Sequence, residues 1–393
     1  VFTIFYFYKP SKYTQIGLFG FMLFNPIFLY LANYISSDAI FVSLSLIWFN
    51  ILLWSIYQPT VKLIIWHALV LFMAFTIRYN ALFYPLIAGI TFLFYRDQLR
   101  LKITGLLICA ALILCFIRFN ERKYEELTGE RQFTPFSGWQ IANNAMYAYK
   151  FVNRKDVKKT PDKFRVIDKM VRDYFDSTRN NPKHPEENFI ASTVYMWSPF
   201  TPLRTYMRQL MDKDSAKNDN EFKYWARVAP LYKEYGTYLI KQYPIAFIQY
   251  YLLPNAIKYY APPIEFLENY NTGIDSVDNS ARVWFQYKSR RITTIFKDLK
   301  VNVLNFFPML VGTMNVLFFL GLISFIYLKG YQNNKIFSRA LFLVVLLWLV
   351  NFAFSVFASP IALRFQLFPV LVMISFSILF IDYLIKEAIQ DPS

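Results

Sequence analysis

The sequence predicts an all-α polytopic membrane protein with a large, mainly helical polar domain inserted between its membrane helices. Three observations carry that expectation. The composition is apolar and rich in Phe, eight apolar stretches approach the length that crosses a bilayer, and one long polar block separates the fifth stretch from the sixth. Hydrophobic residues make up 56% of the chain and aromatic residues 20%, with 42 Phe in 393 residues. A water-soluble core cannot hide so many large apolar side chains, whereas hydrocarbon solvates them.

A helix needs about 20 apolar residues to cross roughly 30 Å of hydrocarbon. The stretches 15–34, 39–57, 61–77, 80–95, 102–118, 304–328, 338–356 and 361–384 meet that need approximately. Residues 1–8 (VFTIFYFY) read as the tail of a further helix. The chain opens inside that apolar run with no initiator Met, so it is expected to be a piece lacking an earlier helix and outer loop. Orientation follows from basic residues in the short loops and ends. One side carries Lys9, Lys12, Lys62, Arg96, Arg100, Lys102, Lys329, Lys335, Arg339 and Lys386; the other carries only Arg78 and Arg364. The ten belong in the cytoplasm. The expected parts are an N-terminal bundle over 1–118, an extracytoplasmic domain over 119–303, and C-terminal membrane helices over 304–393.

The net charge of +16 points to no nucleic acid, because the basic residues of the polar block lack the aromatic interleaving of such surfaces. Cys109 and Cys115 lie in one apolar stretch and read as neither a disulfide nor a metal site. His67 reads as a packed helix residue and His184 as a solvated loop residue. No metal-ligand cluster, phosphate-cradling loop or nucleophile elbow is present. Within the polar block, 237–260 (TYLIKQYPIAFIQYYLLPNAIKYY) is apolar but broken by Lys241, Pro244 and Pro254. Its tyrosines and interrupted apolarity fit a helix on the membrane surface, with a re-entrant or spanning pair as the rival.

Several polar residues are candidates for chemistry. Asp38, in NYISSDAIFVSLSLIW, is either a helix-capping residue or a carboxylate facing a watery cavity, a cation or a partner. Arg78, in FTIRYNALFYP, either snorkels to headgroups or grips a phosphate, with Asn80 adding a hydrogen bond. Arg364, in SPIALRFQLFPVL, lies deeper in its apolar stretch than a headgroup contact requires. The segment TGERQFTPFSGWQIANNAMYAY reads as a specific loop feeding a helix. Trp139 and Gln140 could stack on and hydrogen-bond a sugar there, or serve as domain core.

This arrangement resembles the GT-C superfamily of membrane glycosyltransferases, in particular the family-39-like protein O-mannosyltransferases and aminoarabinose transferases. That family has an acidic residue in the outer loop between its third and fourth helices, and SSDAIF with Asp38 looks like that position. The likeness covers 1–118 and extends to the domain and last three helices only in outline. It implies inverting transfer of a sugar from a polyprenyl-phosphate donor to a hydroxyl of a protein, lipid or glycan. The reaction would lie on the extracytoplasmic face of a bacterial plasma membrane. Arg78, Asn80 and Arg364 would hold the donor phosphate, and Tyr79, Trp139 and Gln140 the sugar or acceptor. Asp38 would orient the acceptor or a divalent cation, with no cofactor certain. The family's acidic base lies in a loop that would precede Val1, so the piece alone is expected to be inactive. The alternative is a lipid-linked-sugar flippase or other transporter, for which repeated, interrupted helices are typical; here Asn25-Pro26 is the clear mid-span interruption.

Overall fold

The computed structural model describes residues 1–33, 36–213, 220–265, 275–291, 293 and 303–390. Tyr34 and Ile35, at the end of the first expected span, lie outside the described residues. So do 214–219, 266–274, 292 and 294–302 of the expected outer domain. Among the described residues no strand forms, and a single bridge pairs Ser276 with Arg291.

Among the described residues each expected span falls largely on helix. Helix α1 (Phe2–Tyr8) is followed by α2 (Lys12–Leu23) and α3 (Pro26–Asn33), then α4 (Asp38–Tyr57) and α5 (Val61–Ile77). A 3₁₀ turn over Tyr79–Phe83 leads into α6 (Tyr84–Phe94), and α7 runs from Leu99 to Thr128. The break between α2 and α3 falls at Asn25-Pro26, where the Asn25 side chain accepts from Ile27 N at 3.1 Å. The next helices are α8 (Phe136–Tyr149), α9 (Arg165–Thr178), α10 (Val194–Trp197), α11 (Pro202–Lys213) and α12 (Glu221–Gln242). After them come α13 (Pro244–Phe247), one π-helical turn over Ile248–Leu252, and α14 (Leu253–Tyr260). The chain ends with α15 (Asn279–Trp284), α16 (Phe307–Tyr327), α17 (Gly330–Asn333), α18 (Lys335–Ala358) and α19 (Leu363–Gln390).

Among the described residues six apolar runs are long enough to cross a membrane: Lys12–Ala32, Asp38–Tyr57, Leu99–Thr128, Phe307–Tyr327, Lys335–Ala358 and Leu363–Ile389. This is the make-up of an all-α polytopic membrane protein. Val61–Ile77 and Tyr79–Phe94 are shorter. The 17 residues of α5 rise only about 26 Å at 1.5 Å each, less than the hydrocarbon thickness. Helix α7 passes the expected boundary at 118 by ten residues. Ion pairs Arg118–Glu121 at 2.8 Å and Lys123–Glu126 at 2.6 Å line its polar extension. It stops at Gly129, whose φ of 78° ends the helix in the left-handed conformation that glycine adopts without strain. The expected surface helix over 237–260 is also redrawn. Residues 237–242 finish α12, and the interrupted helix begins at Pro244, whose missing N–H cannot continue the α12 ladder.

The chain forms two compact units. The first comprises 1–43, 261–337 and 362–393, so it takes in the last part of the expected outer domain. In it α16 and α19 pack closely: a Cβ on Gly321 would sit 2.8 Å from the Phe380 ring. Phe325, Phe337, Phe376, Phe380 and Tyr383 form an aromatic cluster, with Tyr8 5.6 Å from Phe337. Asp382 accepts from Ser11 N at 3.0 Å and Thr14 Oγ1 at 2.8 Å, which fixes the start of α2.

The second unit comprises 44–260 and 338–361. Trp48 stacks on Tyr84 at 4.1 Å and donates from Nε1 to His67 Nε2 at 3.0 Å, so His67 is packed as expected. Cys109 and Cys115 are free thiols. The helical domain of this unit is built on α8 and α12, which meet backbone to backbone. A Cβ on Gly138 would lie 2.0 Å from the Ala229 carbonyl oxygen, and one on Gly236 2.7 Å from Ala142 N. Pro230 lies inside α12. Lacking an N–H, it deprives the carbonyl four residues back of its helical donor. That carbonyl, Ala226 O, accepts from Gln132 Nε2 at 2.9 Å, and the adjacent Trp225 O accepts from Trp139 Nε1 at 2.8 Å.

One buried carboxylate ties α9 to this pair, and a second ties the 183–188 turn to α9. Asp168 of α9 accepts from Tyr149 and Tyr235 hydroxyls at 3.1 and 2.9 Å and from Thr160 at 2.8 Å, and pairs with Arg172 at 3.0 Å. Glu187 accepts from the Tyr174 hydroxyl at 2.5 Å and from Lys183 N and His184 N at 2.7 and 3.2 Å. Burial pushes the Glu187 pKa up, but those three donors outweigh it and hold the carboxyl below its usual range.

Gly138→Ala and Gly236→Ala should each lower the melting temperature in detergent, at about 1–3 kcal/mol of overpacking. Gly20→Ala, with nothing within 4 Å of its Cβ, should not. Because the folded pKa of Glu187 is depressed, its stabilisation is complete above about pH 4.3, the unperturbed glutamate value, and is lost as pH falls through the depressed one. Glu187→Gln should therefore cost about 1–3 kcal/mol at neutral pH and flatten the acid limb of a stability–pH profile. An unchanged acid limb would assign that slope to other groups.

Candidate functional site

Asp38 and Arg364 come together in the first unit. Asp38 opens α4 one residue after Ser37, whose carbonyl takes the first helical hydrogen bond, from Phe41 N at 2.9 Å. Its carboxylate is therefore at the positive end of a 20-residue apolar helix. The Ser36 hydroxyl donates to Oδ2 at 2.9 Å, and Asp38 N donates to Ser36 Oγ at 3.3 Å. Ser36 and Asp38 thus exchange a local capping pair, as the bland reading of this segment expects. The same carboxylate also has a distant partner. Arg364, the second residue of α19, places Nε 3.6 Å from Asp38 Oδ2.

The two charges differ in access. The Asp38 side chain is 4% exposed and that of Arg364 26%. The carboxylate is withdrawn, while the guanidinium meets the surroundings and lies 4.6 Å over the Phe365 ring. A buried charge is tolerated only when matched by another, so the pair accounts for an acid and a base at the ends of two apolar helices. The contact is an ion pair and not a hydrogen bond at this distance, and Arg364 is its more exposed member. Pro263 O holds Leu363 N at 2.7 Å, fixing the backbone beside this arginine.

Arg78, Tyr79 and Asn80 belong to the second unit. Arg78 ends α5 with extended backbone (φ −148°) and donates its N–H to Ala74 O at 2.9 Å. Its side chain is half-buried and Tyr79 is exposed. Tyr79 packs on Phe133 at 4.6 Å, which places this turn against the loop entering α8.

Trp139 and Gln140 are core. Trp139 is fully buried, with one ring contact to Trp225 at 6.1 Å, an edge contact to Tyr232 at 4.8 Å, and the Arg204 guanidinium 5.2 Å over it. No face of the indole is left for a sugar. Gln140 Nε2 donates to Asn144 Oδ1 at 2.7 Å. The physical reason is the close packing of α8 on α12: the indole N–H is used on Trp225 O, and the Gln140 amide on Asn144.

Sequence reading passed over the asparagines of α8 and α14. Asn144 Nδ2 donates to Phe357 O at 3.2 Å and Ala358 O at 3.3 Å, and Asn255 Nδ2 to Val356 O and Ser359 O at 3.2 Å. These are carbonyls at the end of α18, which lack helical donors. Asn143 joins in by donating to Ser192 O at 2.9 Å. The visible signal was the Asn-Asn pair in an otherwise apolar helix. A separate open cavity of about 340 Å³, lined by Leu210, Lys213, Tyr224, Arg227, Val228 and Leu231, contains none of the expected site residues. Among the described residues no three His, Cys, Asp or Glu side chains gather as a metal site.

No family model, curated protein or solved structure matches the chain.

A double-mutant cycle with Asp38→Asn and Arg364→Met should show a coupling of about 0.5–3 kcal/mol in detergent unfolding. Additive effects would mean that the two charges do not stabilise each other.

Proposed function

We propose that the chain is a membrane glycosyltransferase of the GT-C type. It would move a sugar from a polyprenyl-phosphate donor to an acceptor hydroxyl at the extracytoplasmic face of a bacterial plasma membrane. The observation that supports this reading most is the Asp38–Arg364 pair: a withdrawn carboxylate paired with a more exposed guanidinium at the end of an apolar helix. The distribution of basic residues in the short loops supports an outer location for both.

Departure of a polyprenyl phosphate builds negative charge on the leaving oxygen, and a pre-aimed guanidinium stabilises that charge without reorganising in the reaction. Arg364 is given this role, and Asp38 is a positioning residue for it. Arg78 with Asn80, and Tyr79, which lie in the other unit, keep in this proposal only the phosphate-binding and the sugar or acceptor roles that the resemblance implies. Trp139 and Gln140 take no direct part, because their binding groups are engaged within the fold.

The test is transfer of a labelled sugar from polyprenyl-phosphate donors by membranes carrying the protein. Arg364→Ala should lower the rate by about 10²–10³-fold, the usual cost of removing one charge-stabilising donor. Arg78→Ala should weaken donor use, and Asp38→Ala should cost less than Arg364→Ala. Near-normal transfer in all three variants would remove the assignment. Export of an intact lipid-linked sugar without transfer would favour the flippase.

A further inference from the structure

We propose that Pro244–Tyr260 dips into the bilayer alongside α18, with Ile245, Ile248, Leu253 and Ile257 against acyl chains.

The path of the segment is fixed by contacts within the second unit. At its start the Phe247 ring lies 6.1 Å from Phe357, at the end of α18. In the middle Asn255 holds the carbonyls of Val356 and Ser359. At its end the Tyr259 hydroxyl accepts from Asn351 Nδ2 at 2.7 Å, and the Tyr259 and Tyr260 rings meet Trp348 and Phe352 at 5.2–6.3 Å. The partners thus run back along α18 from Phe357 to Trp348–Phe352. At 1.5 Å per residue that is a descent of about 10 Å from the helix end.

Helix α18 is one of the six runs apolar enough to span, so a segment descending along it enters the hydrocarbon. Its outer face has the chemistry for that environment. Ile245 is 78% exposed and Ile257 73%, with Leu253 and Ile248 about half exposed between them. The π-helical turn and Pro254 interrupt the segment, an irregularity that membrane depth tolerates only where the backbone lies against protein, as this one does along α18. Lys258 does not oppose burial: its Nζ turns back to Ile190 O at 2.6 Å and Ala191 O at 3.2 Å, keeping the charge on polar partners. Interfacial helices settle about 5–10 Å into the headgroup–acyl boundary, in line with this descent. The contact is independent of any transfer chemistry.

Spin-label depth in reconstituted protein tests the proposal. Exposed Cys115 is replaced by Ser and buried Cys109 is left in place. A label is then put at Ile245→Cys, Leu253→Cys or Ile257→Cys, with Lys169→Cys as a water control and Leu320→Cys as a mid-span control. Collision with oxygen is compared with collision with a water-soluble nickel complex in phosphatidylcholine–phosphatidylglycerol vesicles. The expected result is oxygen-dominated collision at all three sites, with depth increasing from Ile245→Cys to Ile257→Cys by about 10 Å, the rise of the α18 turns it follows. Nickel access equal to Lys169→Cys would overturn the proposal. Label–label broadening without a depth gradient would also overturn it, by assigning the face to a second copy of the chain.

Discussion

Buried carbonyl oxygens that have lost their helical donors organise the helical domain of this protein. A proline inside α12 frees Ala226 O, and the end of α18 leaves the carbonyls of residues 356–359 without intrahelical partners. An unmet buried carbonyl costs about as much as a lost hydrogen bond, and more as the surroundings become less polar. Side-chain amides from the segment around α8 and α14 meet these groups: Gln132 on α12, Asn144 and Asn255 on α18. Helix α8 therefore has two obligations at once. Its glycine face lies flat on α12, and its asparagine side faces the end of α18.

This arrangement explains features that would otherwise look like a binding site. Conspicuous Trp, Gln and Asn residues in one stretch resemble the lining of a sugar pocket, because sugars and peptide carbonyls ask for the same donors. Here the carbonyls are internal. The tyrosines of the domain follow the same logic. Tyr149 and Tyr235 donate to Asp168, and Tyr174 donates to Glu187, so each ring fills the core while its hydroxyl pays the desolvation of a carboxylate. Burial and the neighbouring carboxylates push these three phenols well above their ordinary range. They remain donors at any pH the protein would meet.

Asp38 and Arg364 obey a related constraint with a different outcome. Each opens an apolar helix, where an unmatched charge would be costly, and each is the other's match across more than three hundred residues of sequence. The pair is asymmetric, with the carboxylate enclosed and the guanidinium more accessible. Asp168 and Asp382 also pair with a more exposed cation, Arg172 and Lys386, but each accepts further hydrogen bonds, from Tyr149, Tyr235 and Thr160 and from Ser11 and Thr14 respectively.

The sequence by itself determined the helical, membrane-spanning character, since hydropathy acts on each segment separately and needs no partner. It also located the Asn25-Pro26 break, the loop feeding α8 and the packed state of His67. Asp38 and Arg364 stood out individually because charges in apolar stretches are locally anomalous. Their pairing, and the choice of Trp139 and Gln140 as core, were decided only by the tertiary structure. Which carbonyl a side chain must satisfy depends on where a proline or a helix end falls in another part of the chain. The 3.6-residue period of one helix carries no record of that.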